Sequence, residues 1–251
     1  MRYPLRNHPN PTSPRTPPMP TLTEPFPPPP FAGFAPDALA FLRELSLNNT
    51  RDWFLPNKSR YETAVRDPLA SLVTDLAARL AKTKTPLLAD PKRSLFRINR
   101  DVRFSKDKSP YKTHAGATLT RDGEKLSQGL LYIHIDPLGS FAAAGFYQPD
   151  PAQLARMRGA LSADPKGWTK VEAALARHGL ELSREAVLAR TPKGFEQAPP
   201  AVAEALKLKG WIVERKFSPA EIRTPKLLDT LVDFAGQSAP LLHFGWAALG
   251  T

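Results

Sequence analysis

The chain has 251 residues, 41% of them hydrophobic and 24% charged, enough to bury a full core and ordinary for a globular protein. Lys and Arg outnumber Asp and Glu by 35 to 24, and the resulting +11 charge and pI near 10 favour anionic partners. Without cysteine there are no disulfides, thiol nucleophiles, Cys-ligated zinc or iron–sulfur clusters.

Residues 1–30 hold twelve of the 28 prolines, and each proline lacks an N–H and fixes φ. This stretch reads as a disordered, proline-rich tail with polyproline II character, ahead of a single domain over 31–251. Met19 fits as a start as well as Met1. Helices follow. Leu39, Leu42 and Leu45 form a stripe after Pro36, Asn48-Asn49 marks a turn, and Trp53, Phe54, Tyr61 and Val65 continue at helical spacing. Pro68 is read as opening a new helix with Leu69, Leu72, Val73, Leu76 and Leu80 on its buried face. Strand signals then occupy Ser94–Ile98, Thr113–Thr120, Leu130–Ile135 and Ser140–Tyr147, with another at Trp211–Phe217. Short connections between them imply an antiparallel meander. Asp150-Pro151 and Asp164-Pro165 place a cap before a helix-starting proline, and Ser218-Pro219-Ala220-Glu221 fits a capping box. The last helices are read near Lys226–Ala235 and Pro240–Leu249. The fold class is therefore α+β, with a central antiparallel sheet of about five strands between helical layers from both halves. No apolar run approaches the roughly 20 residues that span a bilayer, and no secretory h-region is visible, so the expectation is a cytoplasmic protein without a membrane partner.

The most informative stretch lies between the first two strands. From Lys92 to Lys112 eight cations face only Asp101 and Asp107, and Phe96, Val102, Phe104 and Tyr111 are interleaved with them. A plain solvated loop has no use for those apolar residues. Arg97, Arg100 and Arg103 recur every third residue, and their guanidinium forks suit phosphate or carboxylate. Asp101 fits as their internal counter-charge, Phe104 as an inward anchor, and Lys108, Tyr111, Lys112 and His114 as further ligand groups. An anion site and a structural web of ion pairs both fit this pattern. On the first reading, Arg97, Arg100, Asp101, Arg103, Lys108, Tyr111, Lys112 and His114 converge on one surface, where crowded cations depress the His114 pKa.

The run Phe96–His114, F-R-I-N-R-D-V-R-F-S-K-D-K-S-P-Y-K-T-H, resembles the hallmark of a widespread bacterial family of uncharacterised proteins, known by a domain-of-unknown-function label. Asn48 to Glu62 is similar to its N-N-x-R-x-W-F-x-x-N-K-x-x-Y-E pattern. His134-Ile135-Asp136-Pro137 stands where the family has H-x-E-P, with Asp136 in place of the usual Glu. Gly145 to Pro149 and Arg190 to Phe195 resemble two further motifs, and Ala143-Ala144 departs from a Gly-rich pair. The resemblance spans roughly residues 31 to 248 and implies no established activity.

Other chemistry is thinly signalled. His134 and Asp136 share a strand face, and His114 sits on a neighbouring strand. Two His and one carboxylate suit iron or zinc, and H-x-D with a distant His178 or His243 is the pattern of an oxygenase barrel. That barrel needs more strands than the five or so read here, so neither a metal nor a cofactor is expected. Walker, dinucleotide-binding, nucleophile-elbow and H-E-x-x-H motifs are absent. The function read from the sequence is binding of a phosphorylated or polyanionic ligand, a metabolite or nucleic acid, through Arg97–His114. The alternative is a metal-independent enzyme on an anionic substrate, with His114 or His134 as general acid/base and Asp101 or Asp136 orienting it. Trp53 and Phe54, and the more distant Trp168, Trp211 and Trp246, are read as core.

Overall fold

The computed structural model describes residues 29–251, so the tail expected over 1–30 lies almost wholly outside the described residues. The strands β1 (Ala115–Leu119), β2 (Leu130–Ile135), β3 (Ser140–Phe146) and β4 (Trp211–Phe217) form one antiparallel sheet in the order β1-β2-β3-β4. Alternation along each strand sorts the side chains. Ala117, Leu119, Leu131, Ile133, Ile135, Ala142, Phe146 and Val213 point to one face and are fully buried. Tyr132, His134, Phe141 and Glu214 take the other face.

Helices cover the apolar face. The N-terminal layer comprises α1 (Pro36–Leu47), α2 (Arg51–Tyr61), a π-helical turn (Glu62–Arg66) and α3 (Asp67–Leu80). Thr50 caps α2 by accepting the Trp53 N–H at 3.3 Å. A short α4 (Pro91–Ser94) leads into the basic segment. The C-terminal layer comprises α5 (Pro151–Ala163), α6 (Pro165–Ala176), α7 (Ala203–Lys207), α8 (Pro219–Ile222) and α9 (Lys226–Leu249). Asp150 and Asp164 cap α5 and α6 as expected, and Ser218 with Glu221 makes the expected capping box of α8. The sheet packs on α3 and α9, and one continuous core runs from Phe31 to Leu249. Trp168, Trp211 and Trp246 lie in it, as does Phe54, with Trp53 packed at its edge.

Of two expectations at prolines, one holds and one is corrected. Pro68 stands in the first turn of α3, whose buried face carries Leu69, Leu72, Val73, Leu76 and Leu80 as expected, although the chain enters it without a break. The helical path is unbroken from Arg51 to Leu80, and a π turn in which the Asp67 N–H donates to Glu62 O shifts the ladder just before the residue that has no N–H. Pro240, by contrast, lies inside α9 rather than between two helices. A mid-helix proline costs about 3 kcal/mol. Burial along the whole helix, including Leu227, Leu231, Phe234, Leu241, Leu242 and Trp246, outweighs it at roughly 1.5–3 kcal/mol per large side chain.

The α+β class with one antiparallel sheet stands, with four strands among the described residues. The segment read as a first strand, Ser94–Ile98, makes only a bridge, Leu95 to Ala117, and the Phe96 N–H donates to Gly116 O at 2.9 Å. Beyond Phe96 the chain leaves the sheet edge and pairs with its own return at Asn99 and Tyr111.

Candidate functional site

The register of β1 and β2 builds the first half of the site. Ala115 pairs with Ile135 and Gly116 with His134, so His114 comes up beside Asp136 at the end of the ladder. The His114 and His134 rings are 4.4 Å apart, and the Phe141 ring stacks on His134 at 4.6 Å from β3. Tyr132 Oη hydrogen-bonds His134 Nδ1 at 2.9 Å. That leaves Nε2 facing Asp136 Oδ2 at 3.4 Å. Asp136 is held by the β2–β3 turn, where its Oδ1 accepts the Leu138 N–H at 2.7 Å and its own N–H donates to Ser140 Oγ. One carboxylate oxygen fixes the turn and the other is aimed at the imidazole.

Gly116 makes room for this arrangement. A Cβ there would stand 2.8 Å from Tyr132 Oη and 3.2 Å from Ile133 O, so any larger residue displaces the phenol that orients His134. Burial pushes the Tyr132 phenol up to about 12. Burial also lowers the pKa of His134, against the pull of Asp136. His114 falls to about 4, through burial first, then His134, and then Lys112 and Arg100, again against Asp136. The direction at His114 is the one expected, but its main cause is desolvation rather than crowded cations. Both imidazoles are neutral at pH 7.

The basic segment forms the second half. It is a ribbon whose legs are tied together: the Arg100 N–H donates to Pro110 O and the Lys112 N–H to Ile98 O, both at 2.8 Å. Asn49, in the α1–α2 turn, clamps the returning leg. Its Nδ2 donates to Tyr111 O and its Oδ1 accepts the Tyr111 N–H, each at 3.0 Å. The Tyr111 ring is buried and stacks on Phe54 at 4.1 Å. Tyr111 and Ile98 are the inward anchors. Phe104 is not: it is 95% exposed, because it sits at the ribbon's tip with no core beneath it.

The legs and the tip divide the expected ligand residues. At the tip Arg103 closes on Asp101 at 2.6 Å, Arg100 pairs with Asp107, and Lys108 Nζ donates to Val102 O at 3.0 Å. Those contacts form the structural web considered from the sequence. At the base the cations are arranged differently. Lys112 Nζ lies 5.2 Å from the Phe96 ring centre, and Lys125 Nζ, from the β1–β2 connection, lies 5.1 Å from it. Lys125 also donates to Leu95 O at 2.6 Å. Phe96 in turn meets Tyr132 edge-on at 6.0 Å, which joins the cations to the histidine cluster. Burial lowers the pKa of Lys112, and Arg97 and Lys125 lower it further by repulsion. Among the described residues, Arg97, Lys112 and Lys125 have no carboxylate within 4.0 Å.

Arg97 and Lys125 thus act on Lys112, and Lys112 and Arg100 act on His114, whereas Arg103 and Lys108 are spent at the tip and Asp101, paired with Arg103, still lies within electrostatic reach of Arg97. Sequence reasoning missed Lys125, which lies in an Asp-Gly-Glu-Lys connection and enters only through the fold. It also missed Asn49 as a support, although the Asn48-Asn49 pair was read as a turn. Asn57 Nδ2 donates to Trp53 O at 2.8 Å within α2.

Residues 37–244 match a family described as Conserved hypothetical protein (DUF2461), a span that includes every residue of the site. No curated protein and no solved structure matches the chain.

Proposed function

The chain belongs to the DUF2461 family of conserved hypothetical proteins, and from that premise we propose that it binds a small phosphorylated ligand where the base of the basic ribbon meets the polar face of the sheet. The observation that carries this reading is the trio Arg97, Lys112 and Lys125, cations without a carboxylate partner among the described residues, two of them flanking Phe96. Like charges held together at a partly desolvated surface cost free energy until an anion arrives. The ribbon is tied by Asn49 and by its own backbone bonds, so little ordering remains to oppose binding. Each ammonium brings up to three donors, and Lys125 commits one of them to Leu95 O.

A small ligand is favoured over nucleic acid because the tip, the part that projects furthest, spends Arg103 and Lys108 on internal contacts. The enzymatic reading has its own observation: two neutral imidazoles beside the proposed anion subsite can accept a proton from a bound group.

The test is calorimetric titration of the chelator-treated protein with inorganic pyrophosphate and, separately, with a single-stranded oligonucleotide. Pyrophosphate binding should weaken at least about tenfold in Lys112→Ala/Lys125→Ala, the loss of roughly 1.4 kcal/mol expected for two charge-assisted contacts. Unchanged affinity in that variant overturns the proposal. Binding of the oligonucleotide alone, lost in Arg103→Ala, moves the site to the tip.

A further inference from the structure

Three of the residues on the polar face have a geometry that the anion reading does not use. His114, His134 and Asp136 each offer one ligand atom, and these atoms all lie within 4.8 Å of one another. We propose that His114, His134 and Asp136 hold a divalent first-row transition-metal ion, with coordination positions left open towards the basic ribbon.

The distances fit. Ligand bonds of about 2.0–2.2 Å at tetrahedral angles put neighbouring ligand atoms about 3.4 Å apart. The His134 Nε2 to Asp136 Oδ2 separation is already 3.4 Å, so the remaining adjustment falls on the His114 ring. That ring precedes β1, where side-chain rotation does not disturb the ladder. The supporting groups fit as well. A metal-bound imidazole donates its other N–H to a fixed acceptor, and Tyr132 Oη stands 2.9 Å from His134 Nδ1, ready for that role once Nε2 ligates. Asp136 keeps Oδ1 on the Leu138 N–H and turns Oδ2 to the site. Two imidazoles and one carboxylate suit zinc or ferrous iron, and a set of three protein ligands leaves room for a ligand from solution.

The charge balance shapes what that ligand is. One carboxylate only partly neutralises a dication, and Lys112 and Arg100 add to the positive field at His114. An anion bound to the open positions removes that excess. The cations that oppose the bare ion thus favour an ion already carrying an anionic ligand. The sequence-based objection was the strand count of an oxygenase barrel. A four-stranded antiparallel sheet is not that barrel, so the inference concerns the ion and not that chemistry.

The inference does not depend on the phosphate reading, since it uses different side chains and a buffer free of phosphate. The full chain is stripped with chelator and titrated with Co2+ alone, followed by visible absorption and calorimetry. The expected result is one equivalent per chain, with the intense bands of a four- or five-coordinate ion. Asp136→Asn should weaken binding at least tenfold, as should His134→Ala. Should His134→Ala not fold, Asp136→Asn decides the matter alone, because Asn retains the Oδ1 contact to the turn. Tyr132→Phe should weaken binding about 10–100-fold and shift the Co2+ spectrum. Because Phe keeps the packing against Phe96, the melting temperature should hold, which separates positioning from structure. Binding below a tenth of an equivalent, or equal affinity in the wild type and Asp136→Asn, would overturn the proposal.

Discussion

The two faces of the central sheet use the same strands and are held by different forces. Under α3 and α9, Ala117, Leu131, Ile133 and Ile135 are excluded from water by apolar packing. On the opposite face Tyr132, His134, Asp136 and Phe141 are half-buried, and they are bordered by a ribbon whose Phe96 meets Tyr132 and which is tied down by hydrogen bonds from Asn49, its own backbone and Lys125. Packing against helices admits only shape and apolar surface. A ribbon held by directional bonds can leave polar groups beside it reachable, and that is where neutral imidazoles and unpaired cations collect.

The largest expected break falls on the packed face. Ile133→Ala removes a fully buried side chain and should cost about 2–5 kcal/mol in urea unfolding. Its neighbour in sequence, His134→Ala, should cost about 1 kcal/mol. Equal losses would mean that the polar face is core too.

Next come the ties of the ribbon. Asn49→Ala removes both clamping bonds to Tyr111 and leaves a part-buried amide and carbonyl without partners, at about 1–3 kcal/mol. Hydrogen exchange at the Tyr111 and Lys112 amides should speed up while amides in β2 stay protected. Uniform loss of protection would show that the ribbon and the sheet open as one unit.

Gly116→Ala tests the join between the two halves. Its Cβ meets Tyr132 Oη and Ile133 O, so the phenol must move off His134, at about 1–3 kcal/mol. The stability loss should come with a changed His134 ring environment, visible in its imidazole NMR signals. An unchanged His134 signal would show that Gly116 serves the backbone alone. The smallest effect should be Phe104→Ser, which stays within about 0.5 kcal/mol because the ring is in water.

Legibility in the sequence followed the range of the interaction. The limits of β2 and β4 and the Asp-Pro caps of α5 and α6 could be read directly, because alternation and capping are local. Pro240 misled, since its local penalty is outweighed by burial that only the folded chain supplies. The run of arginines was visible, but its division into an ion-paired tip and a free base was not. That division depends on the Asn99–Tyr111 pairing and on where core lies beneath the ribbon, which also decides that Tyr111 and not Phe104 turns inward. His134 and Asp136 could be placed on one face by spacing, whereas the approach of His114 needed the register of β1. Lys125 reaches Phe96 from a separate connection, and no pattern in its own segment announces it.

The most direct test of the claim that the polar face is the binding surface is an NMR map of backbone amides as inorganic pyrophosphate is added to the chelator-treated protein. Shifts should cluster at Phe96–Ile98, Lys112–Gly116, Lys125 and His134–Asp136, and should vanish in Lys112→Ala/Lys125→Ala. Shifts confined to residues 101–109, or spread over surface lysines remote from the sheet, would contradict it.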